Sequence, residues 1–207
     1  AQWQRVVEIV RARDLLPFVD VAYQGFGDGI EEDVAPVRLL ASSGLPFIAS
    51  HSFSKNLSVY GERCGALSVV CADADEAQLV LGQLKATVRR NYSSPGIHAA
   101  GIVARVLTDP KLRSAWERDV AAMRTRILDM RQRLHAVLSQ RLPGRDFGYF
   151  VSQRGMFSYT GLSAAQVDRL RDAHAVYLVR SGRMCIAGLT TANVARAGEA
   201  FATVLAA

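Results

Sequence analysis

The sequence contains little cysteine, and the cysteines it has argue against two kinds of protein. Its 207 residues include three, Cys64, Cys71 and Cys185, which are odd in number and lack the spacing of metal ligands. Small secreted domains that depend on disulfides carry paired cysteines, and zinc sites carry closely spaced ones. The sequence therefore predicts a protein of the reducing cytoplasm without a metal site.

Long apolar runs and low-complexity tracts are also absent from the sequence. The longest apolar stretches, such as 66–72, are far shorter than the roughly 20 residues that cross a bilayer. No basic segment followed by an apolar one opens the chain, so no secretory signal is indicated. Because 50% of the residues are hydrophobic, the chain can bury a core, and we expect an ordered protein with no membrane partner.

Positive charge is in excess, with a formal net charge of +6. Many of the arginines fall between residues 105 and 145, on a segment whose spacing predicts one long helix. Such a helix could bind nucleic acid, or it could be a solvated face, since Glu117, Asp119 and Asp129 lie among the arginines. No aromatic stacking platform accompanies the charge, so we favour the solvated face and expect no nucleic-acid partner.

Hydrophobic periodicity in the first half of the chain predicts an α/β layer structure. Short apolar runs predict buried strands over 16–22, 45–50 and 65–72. Helical spacing predicts helices over 3–12, 33–43, 75–90 and 96–107. Alternating strands and helices are typical of a sheet covered by helices.

The second half of the chain is dominated by one helical stripe. Apolar residues recur every three or four positions from Leu112 to Val137, which predicts a helix of about 30 residues that ends before Pro143. Beyond it, apolar segments predict strands near 147–151, 156–160, 176–179 and 184–187. A helix is predicted from Ser163, with a capping box to Gln166, and a final helix from about residue 191.

The stretch Ser52-Phe53-Ser54-Lys55 follows a predicted strand and precedes Gly61-Glu62-Arg63-Cys64-Gly65. Serine hydroxyls and a guanidinium in one loop suit a phosphate-bearing ligand. The lysine could be a second phosphate-binding cation or a covalent amine nucleophile. The loop lacks the glycine-rich pattern of nucleotide-binding loops, so nucleotide binding has no support.

Two residues of the first predicted strand add to this loop. Asp20 interrupts an apolar run, where a buried carboxylate needs a cation or several donors. Tyr23 lies at the strand exit, where open α/β sheets bind ligands, although ordinary packing would also explain it. Pyridoxal phosphate needs an amine, an anion near its pyridine nitrogen, a donor near its ring oxygen and a phosphate site. All four residue types are present.

Arg183, in Ser181-Gly182-Arg183, follows a glycine between two late predicted strands. It could bind a substrate carboxylate through two parallel hydrogen bonds, or it could be an ordinary surface arginine. The four histidines form no set with metal-ligand spacing.

Six ordered blocks resemble the C-terminal half of fold-type I pyridoxal-phosphate-dependent aminotransferases of the aspartate and aromatic-amino-acid group. They are Asp20-Val21-Ala22-Tyr23-Gln24-Gly25-Phe26, Ser52-Phe53-Ser54-Lys55, Tyr60-Gly61-Glu62-Arg63, Arg89-Arg90-Asn91-Tyr92-Ser93-Ser94-Pro95, Gly155-Met156-Phe157-Ser158-Tyr159-Thr160-Gly161-Leu162 and Ser181-Gly182-Arg183. Ser94 and the run 153–160 are most similar to the bacterial aromatic (tyrosine) branch.

The resemblance implies a role for each residue around Lys55. Lys55 is expected to bind pyridoxal 5'-phosphate covalently and to carry a proton to and from the substrate Cα. Asp20 is expected to pair with the pyridine nitrogen, and Tyr23 to hydrogen-bond the ring oxygen. The cofactor phosphate is expected to bind Ser52, Ser54 and Arg63.

The resemblance also implies how amino-acid and 2-oxo-acid substrates are bound. Arg183 is expected to hold the α-carboxylate, with Phe157 packed nearby. Arg89 matches the arginine that reaches into the partner subunit's site and pairs with a dicarboxylate side chain, and Ser94 lies near it. A homodimer with shared active sites is therefore expected, in which Arg89 serves acidic substrates and moves aside for aromatic ones.

The implied fold is the C-terminal part of a large α/β domain, a long linking helix and a small α+β domain, over 1–110, 111–142 and 143–207. The family's N-terminal phosphate turn, ring-stacking tryptophan and Asn-Pro-Thr-Gly segment do not occur here, so we expect the chain to begin within the family's length. Gly96, Arg180 and the pair His174-Ala175 also depart from the family pattern.

Two functions follow from the sequence. The first is transamination between an aromatic or acidic L-amino acid and 2-oxoglutarate, with this chain a fragment that is inactive alone. The second is a non-catalytic module that retains dimer contacts and acts only in assembly.

Overall fold

The computed structural model describes residues 1–206, which fall into two units. The first comprises Ala1–Gly25 and Gly29–Asp119, and the second comprises Phe26–Asp28 and the chain from Val120 onward. The strands are β1 (Phe18–Val21), β2 (Phe47–Ser52), β3 (Gly65–Val70), β4 (Phe157–Tyr159) and β5 (Arg183–Cys185). The α-helices are α1 (Gln2–Ala12), α2 (Ala35–Ser42), α3 (Ala74–Asn91), α4 (His98–Thr108), α5 (Pro110–Arg141), α6 (Tyr149–Ser152), α7 (Ala164–His174) and α8 (Val194–Ala206).

The first unit contains a three-stranded sheet of order β1-β2-β3. β1 runs parallel to β2, with Asp20 opposite Ser50, and β3 runs antiparallel to β2, with Ser52 opposite Gly65. A parallel pair needs a crossover connection, and α2 supplies it here. The largest buried apolar cluster of this unit comprises Val7, Leu40, Phe47 and Ala49.

The outer strands of this sheet are more exposed than the sequence predicts. β2, the central strand, buries Phe47 and Ala49. In contrast, Phe18 of β1 is 65% exposed and Leu67 of β3 is 51% exposed. The prediction of buried strands is therefore correct only for β2, because β2 alone has a hydrogen-bonded strand on each side.

The helices α1 to α4 agree with the predicted ones to within two residues at every end. α3 begins where the side chain of Asp73 accepts a hydrogen bond of 2.8 Å from the amide of Glu76. This N-cap satisfies one of the four amides that a helix start leaves without a partner. A local hydrogen bond thus determines where α3 begins.

The long helix predicted from the apolar stripe is α5, which has 32 residues. Its buried side chains include Val120, Ile127, Met130, Leu134 and Leu138. The solvated-face interpretation agrees with the exposed ion pairs Arg113–Glu117 and Arg133–Asp129, at 3.0 and 2.9 Å. Arg131 departs from it, because its side chain is buried.

The second unit packs α5, α7 and α8 around a large apolar core that includes Phe147, Phe150, Leu170 and Phe201. β4 and β5 form a two-stranded antiparallel sheet with Tyr159 opposite Arg183. The capping box at the start of α7 is confirmed. Its two hydrogen bonds, from the Gln166 amide to Ser163 Oγ and from the Ser163 amide to Gln166 Oε1, measure 3.3 and 2.9 Å.

Two predicted strands of the second unit are wrong. Residues 149–152 form the short helix α6, because burying both Phe147 and Phe150 requires a helical spacing of three. Residues 176–179 form no strand, because Ala175 adopts a left-handed conformation and the amide of Val176 bonds back to Leu170 O at 3.0 Å. A helix C-cap has replaced the expected strand pairing.

The boundary between the two units lies within the long helix, whereas the predicted domain limits lie at the ends of that helix. Apart from the short segment Phe26–Asp28, the chain passes from the first unit to the second inside α5, between Asp119 and Val120. The predicted limits 1–110, 111–142 and 143–207 treat the helix as a segment of its own and stay a prediction. None of the helices within residues 1–206 is both long and apolar enough to cross a membrane.

Candidate functional site

The turn that carries Lys55 connects β2 and β3. The amide of Phe53 bonds to Cys64 O at 3.1 Å, and the amide of Leu57 bonds to Phe53 O at 3.2 Å. These bonds close the turn and hold it against the start of β3. Lys55 is therefore presented from a short, hydrogen-bonded loop at the end of a central strand.

The ammonium group of Lys55 faces two aromatic rings. Its Nζ lies 5.0 Å from the centre of the Tyr23 ring and 5.9 Å from the centre of the Tyr60 ring. Both distances fall within the range of cation–π attraction. The structure thus brings together Lys55 and Tyr23, which the sequence placed after two separate predicted strands.

Buried polar residues on either side of Lys55 hold its backbone. Ser54 is 2% exposed and Asn56 is 6% exposed. The Asn56 amide group donates to Gln24 O at 3.5 Å, and Trp116 Nε1 donates to Asn56 O at 2.7 Å. Because the neighbours on both sides are buried, the direction of the Lys55 side chain is set by the fold of the first unit.

Asp20 lies on β1 directly opposite Ser50, and Ser50 Oγ donates to Asp20 Oδ1 at 2.8 Å. The expectation of a buried carboxylate is wrong, because β1 is an outer strand and the residue is exposed. The hydrogen bond orients the carboxylate while leaving it open to a ligand. An exposed, oriented anion can pair with a protonated ring nitrogen.

The predicted phosphate-binding residues surround the same turn. Ser52 ends β2, and its Oγ accepts a hydrogen bond of 3.3 Å from the Ser54 amide. Arg63 has a left-handed backbone, with φ of 53°, and its exposed guanidinium donates to Tyr60 O at 3.0 Å. Hydroxyls and a guanidinium on one loop can bind the oxygens of a phosphate.

Gly65 lets the turn approach the sheet closely. A Cβ at this position would lie 2.6 Å from the backbone oxygen of His51. Any side chain here would push β3 away from β2 at the point where the Lys55 turn begins. Gly65, the second glycine of Gly61-Glu62-Arg63-Cys64-Gly65, is therefore required by packing.

The second unit contains two of the predicted site residues, Phe157 and Arg183. The guanidinium carbon of Arg183 lies 5.1 Å from the centre of the Phe157 ring. Gly182 precedes it with φ of 84°, and its carbonyl accepts a hydrogen bond of 2.8 Å from Thr160 Oγ1. Arg183 is exposed, so its guanidinium can bind a carboxylate.

Arg89 and Ser94 lie in and just after the last turn of α3, and both are exposed. Arg89 Nη1 donates to Ser93 Oγ at 2.5 Å, and the amide of Ser94 donates to Tyr92 O at 2.7 Å. These hydrogen bonds stay within the segment that follows the helix. Each residue bonds a neighbour in its own segment, Arg89 to Ser93 and Ser94 to Tyr92, and within residues 1–206 neither shares a hydrogen bond with the Lys55 turn.

Three residues of this arrangement carried no predicted role. Tyr60, beside Lys55, lies in the block Tyr60-Gly61-Glu62-Arg63, which is the signal that could have indicated it. The hydroxyl of Thr160 donates to Gly182 O, which lies 22 residues further along the chain, so no sequence pattern links the two residues. Arg131 stands four residues after Ile127 and three before Leu134, so it lies on the buried face of the α5 stripe.

Burial alters the titration of one group beside Arg183's loop. It raises the pKa of Tyr149, whose hydroxyl donates to Thr160 O at 3.0 Å. The phenol therefore stays protonated as a donor and helps hold the Thr160 backbone. Within residues 1–206, no cluster of histidine, cysteine and carboxylate side chains suited to a metal ion is found.

Comparison with known proteins gives the family context of this geometry. Residues 1–201 match the family described as Aminotransferase class I and II. The chain is 62% identical over 204 residues to an aromatic-amino-acid aminotransferase of Escherichia coli (strain K12), covering 99% of this chain and 51% of the relative. It is 58% identical to a tyrosine aminotransferase of Klebsiella pneumoniae, covering 99% of this chain and 52% of the relative.

Solved structures give the same picture of the fold. The aromatic-amino-acid aminotransferase of Burkholderia pseudomallei, covalently bound to pyridoxal phosphate, superposes with a TM-score of 0.96 at 51% identity. The superposition covers 99% of this chain and 51% of that one. The fold is thus that of fold-type I transferases, and the chain spans about half the length of the curated relatives it matches.

Proposed function

This chain belongs to the class I and II aminotransferase family, and on that premise we propose that it serves transamination between an aromatic or acidic L-amino acid and 2-oxoglutarate. The observation that carries the proposal is the position of Lys55. Its amine extends from a hydrogen-bonded turn toward the Tyr23 and Tyr60 rings, between two buried neighbours. An amine fixed in this way suits covalent chemistry with an aldehyde-bearing cofactor.

The residues around Lys55 fit pyridoxal 5'-phosphate. When bound, this cofactor acts as an electron sink that weakens the Cα–H bond of an amino acid. Lys55 would hold it covalently, Asp20 would face its ring nitrogen and Tyr23 its ring oxygen. The phosphate would bind Ser52, Ser54 and Arg63. The oriented carboxylate of Asp20 and the hydroxyls of the turn support this donor set.

Lys55 also serves as the group that moves a proton at the substrate Cα. A primary amine can take a proton and return it, and a side chain whose backbone is held by buried neighbours does so from a constant position. The anchoring of Ser54 and Asn56 supports this role. The same turn would therefore bind the cofactor and transfer the proton.

Substrate recognition in this proposal depends on Arg183 and Phe157. The exposed guanidinium of Arg183 binds the α-carboxylate through two parallel hydrogen bonds. The Phe157 ring, whose centre lies 5.1 Å from the guanidinium carbon, limits the directions that the arginine can take. Every amino-acid and 2-oxo-acid substrate carries such a carboxylate, so this pair would serve both half-reactions.

Arg89 and Ser94 are proposed to act on the substrate side chain, in a homodimer that shares its active sites. The exposed guanidinium of Arg89 supports an interaction with a dicarboxylate from outside its own helix. An aromatic preference is supported by identity, since the chain is 62% identical to the Escherichia coli aromatic relative and 42% identical to the Escherichia coli aspartate aminotransferase.

A second candidate is a non-catalytic module that acts in assembly. It is favoured by the exposed apolar side chains on both outer strands of the first sheet, such as Phe18 and Leu67. Because the chain spans about half of its relatives' length, its turnover alone is expected to be negligible in either case. The two candidates differ in whether Lys55 reacts with the cofactor.

Borohydride trapping tests the proposal without requiring turnover. The chain is mixed with pyridoxal phosphate, reduced with borohydride and digested, and the modified lysine is identified by mass spectrometry. We expect modification at Lys55, loss of the adduct in Lys55→Ala, and an unchanged adduct in the control Lys85→Ala. Lys85 is exposed on α3 and reports random labelling of surface amines.

The outcomes separate the two candidates. Equal labelling of Lys55 and Lys85, or no labelling of either, would favour the assembly module. If Lys55 is trapped, the chain is then combined with the N-terminal half of the Escherichia coli relative, and glutamate formation from tyrosine and 2-oxoglutarate is measured. We expect turnover in the combination and at least a hundredfold less with Lys55→Ala, as is usual when a catalytic group is removed.

A further inference from the structure

Arg131 is the largest side chain that the second unit buries completely. It is 1% exposed, on the face of α5 that packs into the apolar core. No carboxylate of the described residues forms a salt bridge with it. Burial lowers its pKa, and the positive charge of Arg154 lowers it further. A buried cation without an anion is costly unless hydrogen bonds compensate it.

Four hydrogen bonds compensate this charge, and all of them end in one short stretch of chain. Nη1 donates to Phe150 O at 2.8 Å and to Ser158 Oγ at 2.6 Å. Nη2 donates to Gly155 O and to Phe157 O, each at 2.7 Å. Only Nε has no partner. One guanidinium therefore holds α6 at Phe150, the following turn at Gly155 and the first two residues of β4.

The strand held in this way carries Phe157 on its opposite face. Side chains alternate across a strand, so Ser158 points toward Arg131 while Phe157 and Tyr159 point away. Ser158 is buried, and so is Met184 opposite it on β5. On the outer face, Tyr159 is opposite Arg183, and the Phe157 ring lies 5.1 Å from the Arg183 guanidinium carbon.

The sheet formed by β4 and β5, with three residues in each strand, is too small to be stable by itself. Isolated two-stranded sheets are marginally stable in water, so β4 and β5 depend on what lies beneath them. The charged hydrogen bonds of Arg131 to the β4 backbone are stronger than neutral ones. These bonds hold the inner face of β4. The outer face of β4 carries Phe157, the aromatic neighbour of Arg183.

We propose that Arg131 is a positioning residue for carboxylate recognition, which acts from beneath β4 by fixing the Phe157 ring against Arg183. The proposal rests on the proposed function in one respect, that Arg183 binds a substrate carboxylate. Arg131 itself touches no substrate. Its effect is transmitted through the backbone of Phe157 and reaches Arg183 through the ring.

The test uses the 207-residue chain and two readouts by nuclear magnetic resonance. The first is the ring-current shift that the Phe157 ring imposes on the Arg183 side-chain protons, which needs no ligand. The second is the dissociation constant of 3-indolepropionate, a carboxylate without an amino group, followed at the Arg183 Nε–H signal. The variants are Arg131→Lys, Arg131→Met and Ser158→Ala. Arg133→Met is the matched control, because Arg133 lies on the same helix and is exposed.

We expect Arg131→Met to abolish most of the ring-current shift and to weaken 3-indolepropionate binding about tenfold, as displaced supporting groups commonly do. Arg131→Lys should recover part of both effects, because an ammonium keeps some of the backbone hydrogen bonds. Ser158→Ala, which removes one of four acceptors, should weaken binding about threefold. Arg133→Met should change neither readout.

The outcomes are distinguishable. If Arg131→Met and Arg131→Lys keep the ring-current shift and the affinity of the parent chain, the proposal is wrong. If both variants fail to fold, as judged by thermal unfolding, Ser158→Ala decides by the same criteria. If the parent chain does not bind 3-indolepropionate at Arg183, the proposed carboxylate role fails, whereas an altered ring-current shift would still support the positioning of Phe157 by Arg131.

Discussion

The two units of the chain differ in how their candidate functional side chains are supported. Arg183 and Phe157 stand on a unit with an extensive apolar core, drawn from α5, α7, α8 and the segments between them. Lys55 stands on a unit whose buried apolar cluster has four members, and most of the large exposed apolar side chains of the chain lie in that unit.

The backbone around the candidate site residues is therefore held in a different physical way in each unit. In the second unit, close packing beneath β4 and β5 restricts the strands, and Arg131 adds charged hydrogen bonds. In the first unit, the Lys55 turn is held by polar anchors, chiefly the buried Asn56 and its bond from Trp116. Polar anchors order a loop locally but contribute less to the stability of the whole unit.

Removing a buried leucine should produce the largest difference between the units. Leu134→Ala, at a position that is 0% exposed, should lower the free energy of unfolding of the second unit by about 3–5 kcal/mol. Leu40→Ala in the first unit should cost about 2 kcal/mol, because a small cluster collapses more readily around the deletion. Urea unfolding followed by far-ultraviolet circular dichroism measures both. Leu112→Ala, exposed on α5, is the control, and equal losses for Leu134 and Leu40 would contradict the comparison.

The polar anchor of the Lys55 turn should have an intermediate effect. Trp116→Phe removes the 2.7 Å hydrogen bond to Asn56 O and should lower the stability of the first unit by about 1–2 kcal/mol. Trp3, the second tryptophan, also lies in this unit, so its fluorescence during urea unfolding measures the change. The control is Trp3→Phe, whose unfolding is followed by the fluorescence of Trp116. We expect its free energy of unfolding to change by no more than about 0.5 kcal/mol. A similar loss in both variants would mean that the anchor contributes nothing of its own.

The helix caps should have the smallest effects and should report the independence of the units. Asp73→Ala removes the N-cap of α3, and Ser163→Ala removes the N-cap of α7. Each should cost about 1 kcal/mol in the unit that contains it. Tryptophan fluorescence should therefore register Asp73→Ala and not Ser163→Ala, with Ser163→Thr as a conservative control. If Ser163→Ala shifts the fluorescence transition equally, the two units unfold together and the comparison fails.

The fold could be predicted where the pattern in the sequence is local. The α5 stripe, the capping box at Ser163 and the strand before the Lys55 turn depend on residues close together in the chain. The strands expected at 147–151 and 176–179 failed because their apolar residues satisfy packing in another conformation. Phe147 and Phe150 share the core through a helical turn, and Val176 completes a helix cap.

The candidate site could be predicted by residue type but not by environment. Lys55, Tyr23 and Arg183 are predictions from short motifs, and the structure places Lys55 Nζ 5.0 Å from the centre of the Tyr23 ring. The exposure of Asp20 could not be foreseen, because it depends on β1 being an outer strand. The hydrogen bond from Arg131 on α5 to Phe157 O on β4 links residues that are 26 positions apart, and no sequence pattern predicts such a pair.

The sequence by itself determined the family and the helices with strong periodicity, and it predicts Lys55 as the candidate reactive lysine, because each of these depends on neighbouring residues. Only the tertiary structure decided which side chains support the candidate site residues. Asn56 under the Lys55 turn, Thr160 beside Gly182 and Arg131 beneath Phe157 act through hydrogen bonds between distant segments. Such bonds form only when the folded chain closes long loops, so their partners are set by the packing of whole elements.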